Sequence, residues 1–372
     1  MSAPVLAAAE GATRVRHFVS HLDWSPAEID AMIDLAQELK AEGLDVAAHR
    51  GVPGGEAARP SYSRALQDRV LGLVFFNPSL RTLFSSQAAM QRLGGSAIPL
   101  HVGQGTWDLE WRDGVRMDGK ASEHVREGVP VLSRYAEALG VRCFAGMRDA
   151  DEDAQDSMIR AFAAHATVPV INLESAAEHP CQALAGIMTA RELLGATAGR
   201  TLTVTWAPQA KPTPMAVPHS ALLGAAWAGM NVRLLHPEGY ELGAKYVEAA
   251  RTECARRGSR FEISHDPAAL GGTDILYVKS WGRRDMYGRA EEQAADFARL
   301  AGWRVSEARL AASQAPVLHC LPVRRDVVID AAVLDGPRSR VVDEAENRMW
   351  VFMAVLLTLL KGEPVNDSGK RN

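Results

Sequence analysis

An unbroken apolar run stands at 70–76, and shorter, largely apolar segments at 141–145, 168–172, 201–206, 231–235, 274–278 and 317–320 are further candidates for buried strands. A run without polar alternation is the pattern of a strand covered on both faces, as in a parallel sheet. Between most of these runs lie segments with apolar residues at helical spacing, among them 122–139, 181–194 and 216–229. Such strand–helix repetition predicts an α/β chain with doubly wound parallel sheets. At 372 residues the chain is long enough for two such domains, each with its own core. A division at about residue 182 gives domains of 15–182 and 183–344, joined by a bridging helix over 182–194. The apolar segment 345–362 is then expected to pack back on the first domain. No internal repeat is present.

At the amino-terminal side, Ser25-Pro26-Ala27-Glu28 forms a capping box with proline at the first helical position. Ile29, Met32, Ile33 and Ala36 continue it as an amphipathic helix to about Glu42, and a loop is expected over 43–64. The first 14 residues lack the basic start and apolar run of a secretory signal. The longest apolar stretches, such as 351–360, fall short of the ~20 residues that span a bilayer. A net charge of −4 argues against nucleic acid or an anionic membrane as partner. Cys143, Cys181, Cys254 and Cys320 show no CxxC spacing, so neither a zinc site nor a disulfide framework is expected. That cysteine usage fits a reducing cytoplasm.

Residues after strand ends carry the chemistry in sheets of this kind. After 70–76 comes Asn77-Pro78-Ser79-Leu80-Arg81-Thr82, where a helix start, two hydroxyls and a guanidinium converge as a phosphate cradle without P-loop glycines. Ser79 as a plain helix cap is the competing reading. After 168–172 come Glu174 and His179-Pro180-Cys181-Gln182, with a histidine able to donate to a carbonyl oxygen as charge builds on it. A structural histidine beside a proline turn is the alternative. His319-Cys320-Leu321-Pro322 closes the last run; Cys320 reads as a small buried side chain with useful backbone carbonyls rather than as a nucleophile. Glu344-Ala345-Glu346-Asn347-Arg348 precedes the last apolar helix and offers Arg348 either as an anion ligand or as a solvated residue at a helix start.

The order S-x-R-T, G-V-R, H-P-x-Q, H-C-L-P and A-E-N-R resembles the transcarbamoylase family over nearly the whole chain. The strings FFNPSLRT, TWAP, HPEGYEL, YVKSWG and HCLPVRR resemble most closely its N-acylornithine branch, the N-acetyl- and N-succinylornithine carbamoyltransferases of arginine biosynthesis. The resemblance implies that Ser79, Leu80, Arg81, Thr82, Arg142 and Arg348 hold the phosphate of carbamoyl phosphate. It implies that His179, Gln182 and the carbonyls of Cys320 and Leu321 hold the carbamoyl group. Glu174, Lys279, Leu321 and Arg324 would bind the acylornithine, and Trp107 would reach the carbamoyl phosphate site of a neighbouring subunit in a homotrimer. No metal or organic cofactor is implied.

The chain also departs from the family pattern. Leu83 stands where most members carry a second arginine. Lys279-Ser280-Trp281-Gly282 replaces the acidic residue and S-M-G loop of ornithine carbamoyltransferases; a lysine there repels a free α-ammonium and suits an acylated one. Ser122 stands where the acetyl-specific branch has a glutamate, whose charge would repel a succinyl carboxylate. Val328 stands where that branch has a lysine that becomes carboxylated. Both favour N-succinyl-L-ornithine over N-acetyl-L-ornithine, with Lys279 and Arg324 gripping the succinyl carboxylate and Ser122 also capping a helix. The branch has a knotted second domain, and 211–218 resembles the proline-rich loop through which its chain threads. Two other classes compete. A nicotinamide oxidoreductase would need glycines after 201–206, where Ala207-Pro208-Gln209-Ala210-Lys211 has none. A silent paralogue that only binds carbamoyl phosphate would not need the full set of site residues.

Overall fold

The computed structural model describes residues 15–48 and 59–362. The reading of residues 1–14 and the middle of the expected 43–64 loop lie outside these; of that loop, 43–48 continue the first helix, Pro26–Ala48, and Ser61–Arg64 form a 3-10 turn. The strands of the first half are β1 (Val70–Phe75), β2 (Ser96–His101), β3 (Asp108–Glu110), β4 (Ala121–His124), β5 (Ala138–Arg142) and β6 (Val170–Glu174). Those of the second half are β7 (Thr201–Trp206), β8 (Asn231–Leu235), β9 (Phe261–Ser264), β10 (Ile275–Lys279) and β11 (Val317–Leu318). Two parallel sheets result, ordered β2-β1-β5-β6 and β11-β10-β7-β8-β9, with β3 and β4 as a separate pair. The α/β class and the two doubly wound sheets agree with expectation.

β7 and β8 match their expected runs, and β7 is buried at all six positions; β5, buried at all five, lies at Ala138–Arg142 rather than at the expected 141–145. β2 is half-exposed and contains Pro99, which an edge strand tolerates because its N–H side faces away from the ladder. β9 is likewise only partly covered. The expected helix over 122–139 is corrected: β4 comes first, the helix is Val125–Leu132, and β5 starts at Ala138. Ser122 therefore lies in a strand, and the cap is His124, whose Nδ1 accepts from Arg126 N at 3.1 Å. Apolar residues at 136–141 suit helix and buried strand equally, and pairing of Leu71 with Ala138 decides for the strand.

The helix Pro180–Leu194 runs between the two sheets with eleven of its residues buried, and six of these share one apolar cluster with strands of both sheets. The helix Val341–Lys361 leaves the second sheet and packs along Pro26–Ala48, Pro180–Leu194 and Arg81–Arg92. Register aligns the carboxyl ends of the strands: Phe75 pairs with Arg142 and Arg142 with Glu174, while Lys279 pairs with Trp206. The two sets of strand ends open on one cavity.

Candidate active site

The cavity measures about 610 Å³ and is lined from both halves. From the first come Ser79, Leu80, Arg81 and Thr82 after β1, Arg142 at the end of β5, and Glu174 and His179 after β6. From the second come Lys279 at the end of β10, Cys320 and Leu321 after β11, and Arg348 of the last helix. Gln182, in the first turn of Pro180–Leu194, is buried and off the lining, and it meets the site through Arg348, whose Nη1 donates to its Oε1 at 3.1 Å. Ser79 caps the helix Arg81–Arg92 by accepting Thr82 N at 3.1 Å, so the cap and the cradle are the same residues.

Three guanidinium groups converge here. Arg142 Nη1 donates to Glu174 at 2.6 Å and to Thr82 Oγ1 at 3.5 Å, with its plane over the Phe144 ring. The Nε atoms of Arg81, Arg142 and Arg348, Arg348 Nη2 and His179 Nδ1 are buried without a hydrogen-bond partner. Buried donors without acceptors are costly, so a cluster of them aimed at one cavity is the mark of an anion site. Burial, with Arg81 and Arg142 nearby, lowers Arg348 to about 10, which leaves it charged at neutral pH. Burial also holds His179 well below its ordinary range, reinforced by Arg348 and Arg142. The imidazole is therefore neutral, a donor rather than a cation. Its Nε2 is 3.7 Å from Glu174, and its backbone N–H is fixed by Ser220 Oγ at 2.8 Å.

Glu174 occupies this place through a distorted strand end. The ladder between β5 and β6 slips at Arg142, and Glu174 takes φ of 144°, a region that side chains rarely adopt. Strain of this kind costs about 1–3 kcal/mol and collects at functional sites. Leu321, with φ of 52°, is bent similarly, its N–H donating to His319 Nδ1 at 2.9 Å. Burial pushes the Cys320 thiol up to about 11, so it is no nucleophile at neutral pH.

Four expected site residues lie elsewhere in the single chain. Trp107 is 58% exposed, its indole N–H donating to Glu123 at 2.6 Å, and it is outside the cavity lining. Ser122 and Arg324 are exposed and also off the lining. Val328 is fully buried in the core, so packing alone accounts for an apolar residue there. Conversely, Gln209 and Thr213 line the cavity without having been singled out. Thr213 donates to Ser280 O at 2.6 Å and stands 3.5 Å from Lys279 Nζ; only the proline-rich setting of its loop hinted at it.

Family models match most of the chain: the carbamoyl-P binding domain of aspartate/ornithine carbamoyltransferase over residues 16–192, and its Asp/Orn binding domain over 214–359. An N-acetylornithine carbamoyltransferase of Xanthomonas campestris pv. campestris is 36% identical over 351 residues, 93% of this chain and 98% of its own. An N-succinylornithine carbamoyltransferase of Bacteroides thetaiotaomicron is 35% identical over 307 residues, 82% of this chain and 91% of its own. The chain belongs to the aspartate/ornithine carbamoyltransferase family, in its N-acylornithine branch. Among solved structures, a glutamate-to-serine variant of N-acetyl-L-ornithine transcarbamylase, complexed with carbamyl phosphate and N-succinyl-L-norvaline, superposes with a TM-score of 0.86. It is 35% identical and covers 93% of this chain and 100% of its own. This carbamoyltransferase has, among its described residues, no group of His, Cys, Asp and Glu fit to hold a metal ion, and no helix long and apolar enough to cross a membrane.

Proposed function

We propose that this enzyme transfers the carbamoyl group of carbamoyl phosphate to the δ-amine of an N-acyl-L-ornithine in arginine biosynthesis, with N-succinyl-L-ornithine as the preferred acceptor. One observation carries the reading: three guanidinium groups with unpartnered buried donors surround a neutral imidazole in one cavity. In this reading Arg81, Arg142 and Arg348, with Ser79, Leu80 and Thr82, take the phosphate. His179, Gln182 and the carbonyls of Cys320 and Leu321 take the carbamoyl group. The neutral δ-amine attacks the carbamoyl carbon, forming the C–N bond. The tetrahedral oxyanion then collapses with loss of phosphate, which leaves with the C–O bonding pair while the nitrogen gives up its proton. Charge that builds on the carbamoyl oxygen meets donors already in place, and those donors need no rearrangement as it develops.

The halves divide the work: 15–182 with the helix Val341–Lys361 binds carbamoyl phosphate, and 183–344 binds the acylornithine through Lys279, with Glu174 facing it from the first half. Ser122, Arg324 and Trp107 enter this reading from a neighbouring subunit of a homotrimer or after a rearrangement, because the single chain leaves them exposed and off the cavity. The succinyl preference draws on Ser122; a serine variant of a solved relative, itself bound to a succinyl-bearing compound, supports it. We place the enzyme in the cytoplasm. We also infer a knotted second half, supported by the hydrogen bonds that tie the loop at Thr213 around Ser280 and Gly282.

The purified protein is assayed for citrulline-type product from carbamoyl phosphate with N-succinyl-L-ornithine, N-acetyl-L-ornithine or L-ornithine. The expected order places the succinyl compound first. Preference for acetyl would sink the Ser122 argument and keep the chemistry; carbamoyl phosphate binding with no turnover on any acceptor would favour the silent paralogue. Sedimentation that gives a monomer at assay concentration would remove the shared site.

A further inference from the structure

Arg348 can only donate, so the face of Gln182 that meets it at 3.1 Å is the carbonyl oxygen, Oε1. The amide nitrogen of Gln182 then points the other way and needs an acceptor. It finds one in Glu344, whose Oε1 lies 2.7 Å from Gln182 Nε2. Glu344 is fully buried and does not line the cavity. It sits one helical turn before Arg348, a spacing that puts both side chains on one face of the helix Val341–Lys361. Gly186, one turn after Gln182, makes the room: a Cβ there would come within 3.2 Å of Tyr277 Cε2 and 3.7 Å of Glu344 Oε1. Glu344 Oε2 and the Tyr277 hydroxyl are both buried without a hydrogen-bond partner.

From this chain of contacts we propose that Glu344 is a positioning residue for carbamoyl phosphate: it fixes which way the Gln182 amide faces and thereby holds Arg348 with its free donors toward the cavity. The proposal rests on the reading of the cavity as the carbamoyl phosphate site. The reason is geometric. An acceptor oxygen held 2.7 Å from Gln182 Nε2 keeps the amide in one orientation, whether it belongs to a carboxylate, a carboxylic acid or a carboxamide; any group that fails to reach Gln182 lets the amide turn and present N–H to Arg348. Such a turn places donor against donor in a buried site, and the guanidinium must shift. Reach therefore matters more than charge at this position.

Two substitutions separate the two properties. Glu344→Gln keeps the length and offers an amide oxygen to Gln182, but removes the charge. Glu344→Asp keeps the charge and withdraws the oxygens by one methylene. Titration calorimetry of carbamoyl phosphate into the full-length wild-type protein comes first; absence of binding there would remove the reading of the cavity itself. Given binding, the expected result is an affinity within about threefold of wild type for Glu344→Gln and at least tenfold weaker for Glu344→Asp. The KM for the acceptor should stay within about threefold in both, because neither change touches the second half of the cavity. Wild-type affinity in Glu344→Asp, or weakening by Glu344→Gln alone, would overturn the assignment and leave the cavity reading standing. A parallel rise in both KM values would also overturn it, since a general packing defect has no reason to single out one substrate.

Discussion

Arg348 reaches the cavity from the far end of the chain, and its Nε and Nη2 have nothing else to bind. Hydrogen bonds to charged groups contribute about 1.5–3 kcal/mol each. Arg348→Met should therefore raise the KM for carbamoyl phosphate by about ten- to a hundredfold in steady-state kinetics, and an unchanged KM would take the residue out of the site. Cys320 should behave in the opposite way. With its thiol pushed up to about 11 by burial, Cys320→Ser is expected to keep kcat within about threefold, and loss of turnover would restore the thiol as a chemical participant. Arg81 and His179 were in view in the sequence because each stands shortly after an apolar run, whereas Arg142, inside the expected run 141–145, entered only through the family resemblance. Glu344 was in view only as a neighbour of Arg348. Its partner Gln182 is 162 positions away, and no local spacing encodes a contact of that separation.

Burial made some strands legible, though not the fully buried β5, which was expected three residues later. The boundaries of β7 and β8 agree with their apolar runs to the residue, whereas β2 and β9, half-exposed at the edges, left no such run. The pairing that makes β5 a strand from Ala138 onward is a tertiary fact, invisible to a window of sequence. The helix Val341–Lys361 carries its own pH signature. Burial pushes its Glu344 carboxyl up to about 7 from an ordinary 4.5, against the hydrogen bond from Gln182. The folded state thus holds this proton more tightly than the unfolded state. The resulting stabilisation is complete below the ordinary value and is lost as pH rises through about 7. Relative to Glu344→Gln, the wild type should lose up to about 3 kcal/mol of unfolding free energy between pH 4.5 and 8, read by denaturant titration. Parallel curves for the two proteins would mean that Glu344 is ionised throughout.

At the scale of the whole molecule, two sheets and the return of 345–362 to the first half were expected from the sequence, but the loop contacts between the halves were not. Arg284 pairs with Asp151 at 2.7 Å and Gly288 N–H donates to Met147 O at 2.8 Å, so the loop after β10 is fastened to the first half beside the cavity. The stronger tie is the helix Val341–Lys361, whose Val351, Met353, Ala354, Val355 and Leu356 are fully buried. Burying large aliphatic side chains contributes about 1.5–3 kcal/mol apiece. A fragment of residues 1–198 should therefore be insoluble or molten by near-ultraviolet circular dichroism. Fusing residues 338–372 to its end should restore a cooperative unfolding transition. A well-folded fragment without that helix would contradict the packing described. The same arrangement has a consequence during synthesis. The first half emerges from the ribosome with an apolar flank that only the last helix can cover, and the stretch between Leu194 and Val341 must be made before it arrives. At about 5–20 residues per second, that leaves the nascent flank bare for roughly ten to thirty seconds. A polypeptide arranged in this way cannot complete the wall of its cavity that Arg348 provides until its own carboxyl-terminal cover has been translated.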